Sequence, residues 1–83
     1  MEFKIPDKIQ KEVLETMLKD NYRSAFIYKF KAEYYKNCYT TKKVDGEKLG
    51  KSEIDQLKQD ESKMLFGYKH AKAFIKYIES KER

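Results

Sequence analysis

Residues 52–80, SEIDQLKQDESKMLFGYKHAKAFIKYIES, carry the longest helical pattern of the chain. Apolar side chains recur at alternating spacings of three and four residues, with one charged interruption at Glu61. The seam comprises Ile54, Leu57, Glu61, Met64, Tyr68, Ala71, Ile75 and Ile78. This heptad spacing places the seam on one side of a helix. Ser52 is a suitable N-cap with acids after it, so we expect a helix over residues 52–80.

Gly67 lies in the middle of this predicted helix. Glycine in a helix interior costs about 1 kcal/mol relative to alanine. A glycine at such a position is typical of a site where another part of the chain comes close. We therefore expect another backbone to approach the helix at Gly67.

The segment that precedes this helix, residues 39–51, has the composition of a loop. It contains Asp45-Gly46 and Gly50, which disfavour continued helix. We expect either a basic loop or a short β-ribbon at about 39–51, because Asp-Gly favours a two-residue hairpin turn. In the ribbon, residues 38–44 would pair with residues 47–49.

Two more helices are expected before this segment. Pro6 and Asp7 indicate a helix start, and apolar residues then recur with helical spacing as far as Lys19. Asp20 and Asn21 interrupt the pattern and are good N-cap residues for a second helix. The predicted helices span residues 6–19, 22–38 and 52–80, although one kinked helix through Asp20 and Asn21 is an alternative. The expected fold is all-α, a small bundle of about three helices in a single domain, 1–83. The alternating Met1, Phe3 and Ile5 would form an apolar arm lying on this bundle.

The predicted helix 22–38 has two apolar arcs. Seven of the twelve aromatic residues of the chain lie between Tyr22 and Tyr39. At about 100° per residue they fall on nearly opposite sides of the helix. One arc comprises Tyr22, Phe26, Ile27, Phe30 and Tyr34, and the other comprises Tyr28, Ala32, Tyr35 and Tyr39. A central helix would bury both arcs, whereas another arrangement leaves a tyrosine arc exposed as a contact surface.

The positive charge of the chain is concentrated in its middle. The net charge is +5, and residues 21–51 carry eight basic and three acidic side chains, which account for the whole excess. Together with the second arc, these lysines predict a partner-binding surface. Its residues are Tyr28, Lys31, Tyr35, Lys36, Tyr39, Lys42 and Lys43. Such a surface suits an acidic protein, and the alternative partner is nucleic acid, with lysines on phosphates and tyrosines stacked on bases.

Catalytic and metal chemistry find little support in the composition. The chain has one cysteine, Cys38, and one histidine, His70, and nothing in their spacing pairs them. A structural zinc site usually needs four cysteine or histidine ligands, and the chain has two such side chains. The glycines match no phosphate-binding motif. We therefore expect no metal, no cofactor and no enzymatic activity. If the protein were an enzyme, Cys38 or His70 would be the residues to test.

Partner and compartment follow from the same composition. A lone cysteine and the lack of a signal-peptide pattern favour a cytoplasmic protein. No apolar run is long enough to cross a membrane, so we expect no membrane among the partners. The sequence predicts a small non-catalytic macromolecule-binding protein that acts as an inhibitor, adaptor or regulator. A protein partner is favoured over nucleic acid. A homodimer could form through the Tyr28/Tyr35 face or through the Ile54–Ile78 seam.

Overall fold

The computed structural model describes residues 3–81 and consists of two long antiparallel helices joined by a β-hairpin. Helix α1 spans Asp7–Thr41, strand β1 spans Lys43–Val44, strand β2 spans Glu47–Lys48 and helix α2 spans Lys51–Lys81. The helices pack along each other and their contact forms the core. The all-α class is thus confirmed, but the chain is an extended helical hairpin rather than a compact bundle of three helices.

The expected break between residues 19 and 22 does not exist. Helix α1 continues through Asp20 and Asn21, where the Asn21 side chain donates a hydrogen bond to the Met17 carbonyl at 2.7 Å. Aspartate and asparagine cost a helix only about 0.7 kcal/mol each. Packing outweighs this cost, because Leu18 before the expected break and Ala25 after it belong to the same apolar cluster. The predicted helices 6–19 and 22–38 are therefore one helix, as in the alternative that continues through Asp20 and Asn21.

The β-ribbon alternative for residues 39–51 is confirmed, in a shorter form. The two-residue strands are antiparallel, with Lys43 opposite Lys48 and Val44 opposite Glu47. Asp45 and Gly46 both have positive φ, 50° and 80°, which is the pattern of a type I′ turn. The strand predicted over residues 38–44 is too long, because α1 continues to Thr41.

The predicted helix 52–80 is confirmed as α2, and its heptad seam faces α1. Ala71, Ile75 and Ile78 are buried, with Ile78 only 1% exposed. The expected approach of another backbone at Gly67 is wrong, because the nearest neighbour is a side chain. A Cβ atom at Gly67 would lie 2.9 Å from two ring carbons of Tyr28. Gly67 therefore makes room for an aromatic ring rather than for another backbone.

The hairpin is long and thin, and its core is small. It measures 61 × 22 × 17 Å with a radius of gyration of 18.6 Å, whereas a compact domain of this length would have about 12 Å. Its accessible surface is 7229 Å², against about 5,200 Å² for a compact monomer of its mass. The core residues buried among 3–81 are Ala25, Ala32, Cys38, Ala71, Ile75 and Ile78.

The N-terminal part of the chain does not lie on the hairpin as the predicted apolar arm would. Phe3 is 92% exposed and Ile5 is also exposed, while Met1 lies outside the described residues. Ile9 and Val13, in the first turns of α1, are about half exposed. Apolar side chains at this end of α1 therefore remain largely open to solvent.

Candidate interaction surfaces

The three tyrosines of the predicted partner-binding surface lie on the side of α1 that faces α2. Tyr28, Tyr35 and Tyr39 are all half-buried, and the ring of Tyr28 covers Gly67. The Tyr28/Tyr35 face and the Ile54–Ile78 seam, the two surfaces expected to support a homodimer, thus contact each other within one chain. A partner could reach these rings fully only if the two helices separated.

Tyr39 makes a polar link between the helices. Its hydroxyl donates a hydrogen bond to Oε1 of Glu61 at 2.8 Å, and the Lys58 ammonium lies 5.7 Å from the centre of its ring. The hydrogen bond to the Glu61 carboxylate, with burial and the nearby negative charge, raises the pKa of Tyr39 above its usual value of 10.0. Glu61, the charged interruption of the heptad seam, is therefore a hydrogen-bond acceptor for α1.

The other aromatic arc of α1 is exposed. Four of its residues repeat at intervals of four and form a continuous ridge on the side away from α2. We call this ridge the outer row: Tyr22, Phe26, Phe30 and Tyr34, with exposed fractions of 53%, 69%, 62% and 53%. Phe26 and Phe30 stack with ring centres 5.9 Å apart. Of the two aromatic arcs of α1, the one accessible without opening the hairpin is therefore the outer row.

The four lysines of the predicted surface are all exposed, but they lie in two places. Lys31 and Lys36 lie on α1, whereas Lys42 and Lys43 lie at the tip of the hairpin, beside the turn. The structure does not bring all seven predicted residues onto one surface: the tyrosines lie between the helices and the lysines outside them. Their role in partner binding stays a prediction.

A second group of lysines, from both helices, surrounds Tyr68. The ammonium groups of Lys29 on α1 and Lys72 on α2 lie 5.7 Å and 5.2 Å from the centre of its ring. Tyr68 also lines a shallow hollow with Lys69, Lys72 and Lys76. Sequence reasoning missed this group because its members are about forty residues apart along the chain and only the antiparallel packing of the helices brings them together.

The two residues considered for catalysis are separated in the structure. His70 is exposed and its ring packs on Phe66 with centres 4.4 Å apart, in a hollow that Tyr28 also lines. Cys38 is a buried free thiol on α1. It follows Tyr28 by ten residues, which corresponds to about 15 Å along the helix. Among residues 3–81, no three His, Cys, Asp or Glu side chains are placed to hold a metal ion.

Neither described helix has a stretch long and apolar enough to cross a membrane. No protein family, no curated protein and no solved structure matches the chain.

Proposed function

We propose that this protein is a non-catalytic protein-interaction module whose outer row packs against an apolar helix of another protein. The observation that carries the proposal is the exposure of four aromatic side chains in one ridge, two of them phenylalanines more than 60% exposed. Phenylalanine has no polar group that benefits from water, so a ridge of this kind indicates an interaction site.

The surface area of the hairpin supports this proposal. The chain exposes 7229 Å², about 2,000 Å² more than a compact monomer of the same mass. One partner in a large, stable interface contributes on the order of 1,000 Å² or more. Packing of a helix along α1 would cover part of this excess and convert the hairpin into a bundle of three or more helices.

The geometry of the outer row suits a helical partner. Residues at intervals of four form ridges that fit the grooves between side chains of a second helix. The row covers thirteen residues of α1, from Tyr22 to Tyr34, and its ends are about 18 Å or a little over three turns apart. Tyr22 and Tyr34 at its ends can hydrogen-bond at the rim while Phe26 and Phe30 fill the centre. Inhibitor, adaptor and regulator are the roles that such a module would perform.

The test compares the wild type with the double variant Phe26→Gln/Phe30→Gln. Glutamine is a good helix former, so the circular dichroism of α1 should be unchanged. The matched control is Glu12→Gln/Lys19→Gln, which changes two exposed positions of α1 and keeps the net charge. We expect one partner protein to be retained from cell extract by the wild type and the control but not by the Phe26/Phe30 variant.

The retained protein is then purified and titrated against the three chains by isothermal calorimetry. We expect a loss of affinity of at least tenfold with the Phe26/Phe30 variant, because two central aromatic contacts are removed. Sedimentation equilibrium of the three chains alone shows whether the occupant is instead a second copy. Equal behaviour of all three chains in every assay would contradict the proposal.

A further inference from the structure

We propose that the lysines around Tyr68 form a binding site for the phosphate backbone of double-stranded nucleic acid. The site, which we call the basic face, is independent of the outer row. It comprises Lys29 and Lys36 of α1 and Lys58, Lys69, Lys72 and Lys76 of α2. Lys29 and Lys72 approach the same ring from the two helices, which places α1 and α2 lysines on one surface.

Helical spacing adds the outer members of the face. Lys36 follows Lys29 by seven residues and Lys58 precedes Lys72 by fourteen, so each lies two or four turns away on nearly the same side of its helix. Along α2 the lysines extend from Lys58 to Lys76, about 27 Å. That length corresponds to roughly eight base pairs of a duplex at 3.4 Å per phosphate on each strand.

The part of α2 that carries Lys69, Lys72 and Lys76 contains no acidic side chain. Residues 62–78 contain four lysines and no acidic side chain. Among the described residues, the only ion pair is that between Arg23 and Asp20, so none of the six lysines is held by a carboxylate within 4 Å. Acids near the face in sequence lie beside its outer members: Asp60 and Glu61 follow Lys58, Glu33 precedes Lys36 and Glu79 follows Lys76. The ammonium groups are therefore free to contact an anion.

The composition of the face favours phosphates of a duplex over other anionic partners. Lysine acts as a point charge on phosphate, whereas base recognition more often uses arginine. A single strand would stack its bases on exposed aromatic rings, but Tyr68 is half-buried and two ammonium groups lie over it. The contacts would thus be made to the backbone and would be independent of sequence.

The test measures fluorescence anisotropy of a labelled mixed-sequence DNA duplex titrated with full-length protein at about 50 mM and about 200 mM salt. If four lysines contact phosphates, the affinity should fall about 100-fold between these salt concentrations. The variant Lys69→Gln/Lys72→Gln/Lys76→Gln should bind at least about tenfold more weakly at low salt and show a salt slope lower by about 3.

The matched control is Lys4→Gln/Lys8→Gln/Lys11→Gln, which removes the same charge from exposed positions that are not part of the basic face. It should retain affinity to within about twofold. Equal losses for both triple variants would overturn the proposal, because net charge alone would then explain binding. Tighter binding of the single strand than of the duplex, or no binding at low salt, would also overturn it. The Phe26→Gln/Phe30→Gln variant should bind the duplex like the wild type, which separates this site from the proposed protein interface.

Discussion

Gly67 and Tyr28 form one steric unit between the two helices. Alanine at position 67 should gain about 1 kcal/mol of helix propensity, but its Cβ would lie 2.9 Å from the Tyr28 ring, and overpacking costs about 1–3 kcal/mol. We expect Gly67→Ala to destabilise the wild type by about 1 kcal/mol. In a Tyr28→Ala background the same change should stabilise the hairpin by about 1 kcal/mol.

Urea unfolding of the wild type, the two single variants and the double variant, followed by circular dichroism, measures this coupling. If Gly67→Ala destabilises the wild type but stabilises the Tyr28→Ala variant, the Tyr28 ring explains why glycine is at position 67. The same effect in both backgrounds would show that the ring moves aside at no cost.

Because of the hydrogen bond from Tyr39 to Glu61, the stability of the folded hairpin should depend on pH in the alkaline range. The pKa of Tyr39 is raised in the folded chain, chiefly by this bond, so the folded state keeps a proton that the unfolded state loses near pH 10. The stabilisation is therefore fully present below about pH 10 and disappears as pH rises through the raised pKa. Above it, the tyrosinate would repel the Glu61 carboxylate.

Urea midpoints of the wild type and Tyr39→Phe, taken at about pH 8 and about pH 11, check this expectation. The difference between the two proteins isolates Tyr39 from the titration of lysines and other tyrosines. At the lower pH the urea midpoint of the wild type should be higher than that of Tyr39→Phe, and at the higher pH this difference should be smaller. Glu61→Gln keeps an acceptor and removes the charge, so its pH dependence should be weaker. An unchanged difference between wild type and Tyr39→Phe would argue against the bond.

At the scale of elements, local sequence rules predicted α2 correctly and gave the hairpin as one of two alternatives for residues 39–51. They favoured two helices where the structure has the single helix α1. The heptad spacing of residues 52–80 and the Asp-Gly pair act within a few residues, and both appear in the structure. Asp20 and Asn21 resemble a helix start, but their intrinsic penalty is smaller than the packing of Leu18 and Ala25 against α2. That packing depends on a helix forty or more residues away.

The interaction surfaces were predictable only in part for the same reason. Periodicity separated the two aromatic arcs of α1, but it could not show which arc faces α2. The structure places the Tyr28 arc between the helices and leaves the outer row exposed. The basic face was not predictable from local charge, because Lys29 and Lys72 meet only when the chain folds back on itself.

At the scale of the whole molecule, one thin hairpin presents chemically different surfaces. Two helices can bury only one stripe each, so most of either helix remains at the surface. The described chain uses this area for a hydrophobic outer row on α1 and a lysine-rich face shared by both helices. Apolar residues in the first turns of α1, Ile9 and Val13, add to the exposed hydrophobic area.

The extended shape itself is measurable by small-angle X-ray scattering. We expect a radius of gyration close to 18.6 Å and a longest dimension near 61 Å, because the described residues form two long helices that lie along each other. A value near 12 Å would instead indicate the compact bundle expected of a globular chain of this length.

If copies associate through the outer row, forward scattering should double while the longest dimension changes little, since two ridges along α1 pack side by side. Phe26→Gln/Phe30→Gln should return such a sample to the scattering of a monomer, and a persistent dimer in this variant would place the contact elsewhere on the molecule.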